Sequence, residues 1–248
     1  MLPQRLCLLQ WRVRRTLAYS MHQMASILGG EYTATDLMPL FREFTVNEPE
    51  CVRIGVLENL AEFVRVLPLE QRKAMLPTMK YFFGINDRRH RHEFGRQLVE
   101  LLKLYPPADC EEHLKLYCLI LLTDNVVYNR QKCYGLVSLL IERLGCEGDA
   151  HYVIGVCETL KKKFAVDPTW CRRQTYVFVA GRVFADKVMD MQLYCEHLLP
   201  NLLELAHDRV PNVRLVVAEA LTNHIINDGK LYNFFFYLEL DSPPVRTW

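Results

Sequence analysis

Apolar positions recur along this chain at spacings of three and four, the mark of helices buried on one face. The clearest stripe is Val56, Leu57, Leu60, Phe63, Val64 and Leu67. Just ahead of it, "TDLMPLFREFTV" gives Leu37, Leu40, Phe41 and Phe44, with Thr35 or Asp36 placed to cap the helix start. The polar link "NEPE" separates the two, and Pro49 sits there without removing a helical hydrogen bond. The same sequence of helix, short turn and helix returns along the chain. "LPTMKYFFGI" precedes "RHRHEFGRQLVELLKLY", and "CEEHLKLYCLILL" precedes "NRQKCYGLVSLLIERLG". "HYVIGVCETLKKKF" precedes "RRQTYVFVAGRVFAD", and "YCEHLLPNLLELA" precedes "NVRLVVAEALTNHIIND". Helix stops are expected at Gly29-Gly30, Gly145 and Gly229, and a bend at Pro200. "YVFVAGRVF" alone reads as a strand, but its neighbours are helical. The pattern predicts an all-α protein.

The turns themselves repeat. Asn47, Asp124, Asp167 and Asp208 each stand five or six residues ahead of an arginine: Arg53, Arg130, Arg172 and Arg214. Arg14 occupies the same place near the N-terminus, and Asp87 is followed at the sixth position by Glu93. The positions 14, 53, 93, 130, 172 and 214 differ by 39, 40, 37, 42 and 42. A self-similar unit of about 40–47 residues is the signature of two-helix HEAT and armadillo repeats. Such units cannot bury their stripes alone and stack into one continuous core. Six units are expected in a single α-solenoid over residues 1–228, near 1–30, 35–68, 74–105, 111–145, 151–187 and 191–228. The first is incomplete and leaves an apolar flank, so the chain is expected to be a piece of a longer array. Residues 229–248, with Phe234, Phe235, Phe236 and Tyr237 in a row and then prolines, form either the start of another helix or an improvised cap.

Charge narrows the function classes. Thirty basic residues balance 29 acidic ones for a net charge of +1. That disfavours nucleic acid and anionic membrane, which require basic excess. The nine cysteines form no C-x-x-C pair and mostly sit in apolar runs, as expected of reduced core thiols in the cytosol or nucleus. No secretory signal, membrane-spanning run or N-glycosylation acceptor is evident. Glycine-rich phosphate loops, G-x-S-x-G and catalytic His/Cys spacings are also missing, so no enzyme, catalytic residue or cofactor is expected.

The turn Asp/Asn-to-Arg spacing resembles the HEAT repeats of the protein phosphatase 2A scaffold group. Longer stretches are more specific: "VRRTLAYSMHQMASILGG", "ATDLMPLFREF", "VRIGVLENLAEFVRVL", "RRQTYVFVAGRVF" and "LLPNLLELAHDRVPNVRLVVAEAL". These resemble the C-terminal repeats of the regulatory subunit 1 family of serine/threonine protein phosphatase 4. The resemblance implies a non-catalytic regulatory subunit that holds a phosphatase 4-type catalytic subunit and directs it to phosphoprotein substrates, the metals belonging to that partner. It also implies a structural role for Arg14, Arg53, Arg130, Arg172 and Arg214, each bonding the turn acid or amide of an adjacent unit, among Asn47, Asp124, Asp167 and Asp208. The rival readings are a DNA-base-excision enzyme on a HEAT-like fold, which the neutral charge disfavours, and a peptide-binding or nuclear-transport scaffold.

Contacts with a partner are expected on the ridge of intra-unit turns: Glu48, Glu50, Arg88, Arg89, Arg91, Tyr128, Trp170 and Arg209. For Arg88, Arg89 and Arg91, binding of phosphate or acidic side chains competes with a merely solvated turn. Trp170 is either a staple packed between units or an exposed anchor of the kind common at binding hot spots, and Tyr128 poses the same choice. Lys161 to Lys163 read as a wet helix end. His90 and His92 do not complete an H-E-x-x-H metal motif, because Arg96 stands where the second histidine belongs.

Overall fold

The computed structural model describes residues 10–83, 87–146 and 150–226. Every regular element among them is helical, including the strand-like "YVFVAGRVF". The chain forms two compact units, residues 1–143 and 144–248.

In the first unit, α1 (Trp11–Tyr32) is followed by α2 (Met38–Val46), α3 (Glu50–Glu58) and α4 (Leu60–Val66). Then come the short α5 (Leu69–Lys73) and α6 (Met79–Phe83), the long α7 (Arg88–Leu104), the single turn α8 (Pro107–Asp109), α9 (Lys115–Leu121) and α10 (Val127–Gly145). α1 packs on α3 and α4, α2 on α3, and α3, α4, α6 and α9 on α7. This is HEAT-type packing of helix pairs. The predicted stripe is the core: Val56, Leu57, Leu60, Phe63, Val64 and Leu67 are all buried, with Phe41 and Phe44 facing them. An aromatic column links successive pairs. Phe41 stacks on Phe63 at 4.5 Å and meets Phe82 edge-on at 6.2 Å, Phe82 lies 6.5 Å from Phe94, and Phe94 meets Tyr117 edge-on at 5.4 Å. Contacts of this kind contribute about 0.5–1.5 kcal/mol each beyond area burial.

Two departures from the predicted helices have physical causes. Thr35 and Asp36 do not cap a helix. They lie in a wide π turn, Thr33–Leu37, that continues α1 into α2, and the Thr35 hydroxyl donates back to the Glu31 carbonyl. The break falls earlier, at Gly29, whose φ of 79° is open to glycine and strained for other residues. Next to it, a Cβ on Gly30 would come within 2.8 Å of the Val66 carbonyl oxygen, so both glycines of the expected stop are required. The stripe from Val56 to Leu67 is split at Asn59 (φ −125°, ψ 23°). Gln97 of α7 repairs that split: its amide nitrogen donates to Glu58 O at 2.6 Å and its oxygen accepts from Ala61 N at 2.9 Å.

The second unit contains α11 (Ala150–Leu160), α12 (Trp170–Asp186), α13 (Met191–His197), α14 (Leu199–Glu204) and α15 (Pro211–Ala220). α12 packs on α14 and α15, and α11 on α13. Pro200 falls in the first turn of α14, so the expected bend is a restart of the helix at Leu198–Leu199. Tyr176 and Tyr194 are fully buried, their hydroxyls donating to Leu198 O and Ala180 O. Burial pushes both phenols above their ordinary range. Lys161, Lys162 and Lys163 are exposed on a π turn that ends α11. α10 ends at Gly145 as expected; Gly229, residues 1–9 and the tail 229–248 lie outside the described residues.

Candidate docking groove on the inter-helix turns

The six-residue Asp-to-Arg recurrence is a local turn clamp. Arg130 donates to Asp124 O at 2.5 Å, Arg173 to Asp167 O at 2.8 Å and Arg214 to Asp208 O at 2.7 Å. Each guanidinium reaches back from the first turns of its helix and satisfies a carbonyl of the turn it has just left. The aspartate side chains close the same turns, Asp124 accepting from Val126 N, Asp167 from Thr169 N and Asp208 from Val210 N.

The bonds between repeats use different arginines from those expected. Arg173, not Arg172, crosses to the next turn: its Nε and an Nη lie 2.5 and 2.9 Å from the two carboxylate oxygens of Asp208. Arg172 pairs with Asp167 of its own turn and stays half exposed. The reason is rotation. One residue turns about 100° on a helix, so of two adjacent arginines only one faces the neighbouring repeat. Arg91, expected to meet a partner, is instead committed to Asp124 of the next turn at 2.6 Å. Arg14 does bridge repeats, but through Glu48 at 2.9 Å, which takes Glu48 out of the expected contact set and leaves Asn47 exposed. Arg53 has a buried Nε with no hydrogen-bond partner among the described residues. The carboxylates of Asp124 and Asp208 are held below their ordinary range. Burial raises Asp124, but the hydrogen bond from Arg91 and those from Val126 and Asn129 outweigh it; for Asp208 the Arg173 hydrogen bond is the largest cause.

The remaining turn residues of the first unit enclose a groove of about 940 Å³. Four of the expected contacts line it: Glu50, Arg88, Arg89 and Tyr128. They come from three successive turns, with Arg15 and Tyr19 of α1 at one end and Val126 and Asn129 at the other. Pro49, Ile54 and Tyr19 supply apolar floor. Charges in the groove fall into two classes. Glu93 is tied to Arg96 at 2.7 Å, Glu58 accepts from the Tyr19 hydroxyl, and Asp87 and Glu50 face His90. Arg88 and Arg89 are exposed and have no ion pair with another described residue. Tyr128 is 55% exposed, its ring 5.5 Å from that of His92 and under the Lys132 ammonium at 5.5 Å. Trp170 and Arg209 belong to the second unit. Trp170 opens α12 and is 39% exposed, and Arg209 is exposed in the turn before α15.

Sequence spacing contained one signal, and it is for the local clamp: Arg173, not Arg172, stands six places after Asp167, as Arg130 and Arg214 do after Asp124 and Asp208, whereas bridging has no such spacing. Gln97, Tyr19, Ile54 and Arg15 carried no such signal, because their roles depend on contacts one repeat away.

Comparison with known proteins fits this architecture. A sequence profile for the protein phosphatase 4 regulatory subunit 1 middle domain matches residues 5–82, and a HEAT-repeat profile matches residues 198–223. Serine/threonine-protein phosphatase 4 regulatory subunit 1 from Homo sapiens is 38% identical over 221 residues, 88% of this chain. The chain is similar to phosphatase 4 regulatory subunit 1. The proteins of that name from Mus musculus and Rattus norvegicus match at the same identity and coverage. This chain spans 23% of the length of these relatives. It is a HEAT-type helical-repeat protein, and no helix among its described residues is long and apolar enough to cross a membrane.

Proposed function

We propose that this chain is a non-catalytic regulatory segment that docks a phosphatase 4-type serine/threonine phosphatase catalytic subunit and helps to bring it to phosphoprotein substrates. The observation that carries the reading is the 38% identity over 88% of the chain to proteins named as regulatory subunit 1 of that phosphatase. The groove supports the reading. It places two guanidiniums without ion pairs among the described residues, Arg88 and Arg89, beside the exposed Tyr128 ring. Arginine and tyrosine on a rigid, partly apolar floor are the residue types that dominate binding energy at protein interfaces. Trp170 and Arg209, both exposed in the other unit, are further candidate contacts. Action in the cytosol or nucleus remains the expectation from the cysteine content.

The test is retention of the catalytic subunits of phosphatases 4, 2A and 6 by the purified chain, alongside Arg89→Glu and Trp170→Ala variants. Selective retention of the phosphatase 4 subunit, lost in Arg89→Glu at an unchanged melting temperature, supports the reading. A well-folded chain that retains none of the three refutes it.

A further inference from the structure

We infer that Glu50, Asp87 and His90 form a zinc site that ties two successive repeat turns together at the wall of the groove. The three side chains offer one ligand atom each, and these atoms all lie within 4.8 Å of one another. His90 Nδ1 stands 3.1 Å from Asp87 Oδ2 and 3.7 Å from Glu50 Oε1. Zinc bonds of about 2.0–2.2 Å at the tetrahedral angle set ligand-to-ligand edges of about 3.3–3.6 Å. Both separations therefore lie close to the edges of a zinc tetrahedron before any ion draws the ligands in.

The donor chemistry agrees with the spacing. One imidazole with two carboxylates is a nitrogen/oxygen set suited to zinc, and their two negative charges balance a divalent cation. Asp87 is oriented by the His90 backbone N–H, which donates to its Oδ2 at 3.4 Å. His90 is held rigidly, its side chain 1% exposed in the first turn of α7. Glu50 is exposed at the start of α3 and free to adjust. All three line the groove, so the fourth position opens to water or to a ligand lying there. No local spacing reveals the set, because Glu50 and Asp87 stand in different repeats.

The proposal is independent of phosphatase docking and is tested on the chain alone. After treatment with a chelator, the protein is titrated with zinc chloride against a chromophoric competitor, and separately with cobalt chloride followed by absorption. Expected are one zinc per chain and a cobalt spectrum of tetrahedral type without a sulfur charge-transfer band. Loss of a mere supporting partner costs about 10–100-fold in metal affinity, so Glu50→Gln and His90→Gln should each lose at least about that much. Glu50→Gln changes an exposed residue and leaves the fold in place, which separates loss of ligation from unfolding. His92→Gln, at an exposed histidine of the same groove, should retain binding. Absence of stoichiometric zinc, a thiolate signature, or binding unchanged in Glu50→Gln would overturn the assignment.

Discussion

Removal of the Asp208 carboxylate should cost far more than removal of Arg172, although each belongs to an arginine–aspartate pair of the same segment. Arg173 and Asp208 are bidentate, and their side chains are 9% and 5% exposed. Taking one partner from a buried pair costs about 3–5 kcal/mol, because the other charge stays behind desolvated. Arg173 keeps two carbonyl acceptors, Asp167 O and Pro168 O, which holds the loss near the lower end. Asp208 also caps Val210 N, and loss of such a cap costs about 1 kcal/mol. Asp208→Ala should therefore destabilise by about 3–4 kcal/mol. Arg172 is 48% exposed in its pair, and exposed pairs contribute about 0–1 kcal/mol, so Arg172→Ala should cost less than about 1. Urea unfolding followed by far-ultraviolet circular dichroism measures both. In the double mutant Arg173→Met/Asp208→Leu the losses should fall short of the sum of the single changes by more than about 1 kcal/mol, since neither charge is left unpaired. Equal costs for Asp208→Ala and Arg172→Ala, or strict additivity, would refute the inter-repeat role given to Arg173.

Three further outcomes are expected. Gln97→Leu strands Ala61 N at the Asn59 break, while Glu58 O keeps the Arg96 guanidinium as a donor at 3.0 Å; one unpaired backbone group costs about 1–3 kcal/mol, and stability should fall by about that much in the same assay. Gly30→Ala drives a Cβ to 2.8 Å from the Val66 carbonyl, a backbone atom with no easy escape, and should cost about 1–3 kcal/mol, whereas Gly155→Ala meets open space and should be neutral or slightly stabilising. Acid titration of stability should show loss beginning near pH 4. The folded-state pKa values of Asp87, Asp124 and Asp208 lie below the ordinary 3.8, so their contribution is present above that value and disappears as pH falls through the lowered ones, about 2 for Asp87. Asp208→Asn should flatten that profile, and an unchanged slope would count against a lowered pKa at this position.

Helical periodicity made the fold legible because it acts on every residue of a stripe at once: Val56 through Leu67 are buried despite the break at Asn59 that splits them. The break itself left no trace, since its repair by Gln97 comes from the next repeat. The turn recurrence was visible, but its meaning was divided between two arginine functions. The six-residue spacing encodes a clamp on the local carbonyl, while bridging depends on which helix face an arginine occupies. Adjacent Arg172 and Arg173 show how a single-residue difference decides between them. Of the expected contacts, Glu50, Arg88, Arg89 and Tyr128 gather in one groove because three turns stack side by side. Arg91 and Glu48 do not remain free there, because each found an ion-pair partner one repeat away that linear spacing could not disclose.

The most direct measurement of the central claim is the dissociation constant between the purified chain and a phosphatase 4 catalytic subunit, for the native sequence and for Arg88→Glu/Arg89→Glu/Tyr128→Ala. All three residues are exposed, so the melting temperature of the variant should match that of the native chain. The account predicts saturable binding by the native chain and a loss of at least about a hundredfold, ~2.7 kcal/mol, in the variant. Equal affinity of the two proteins would contradict the groove as the dock, and no binding by a folded native chain would contradict the regulatory reading of this segment.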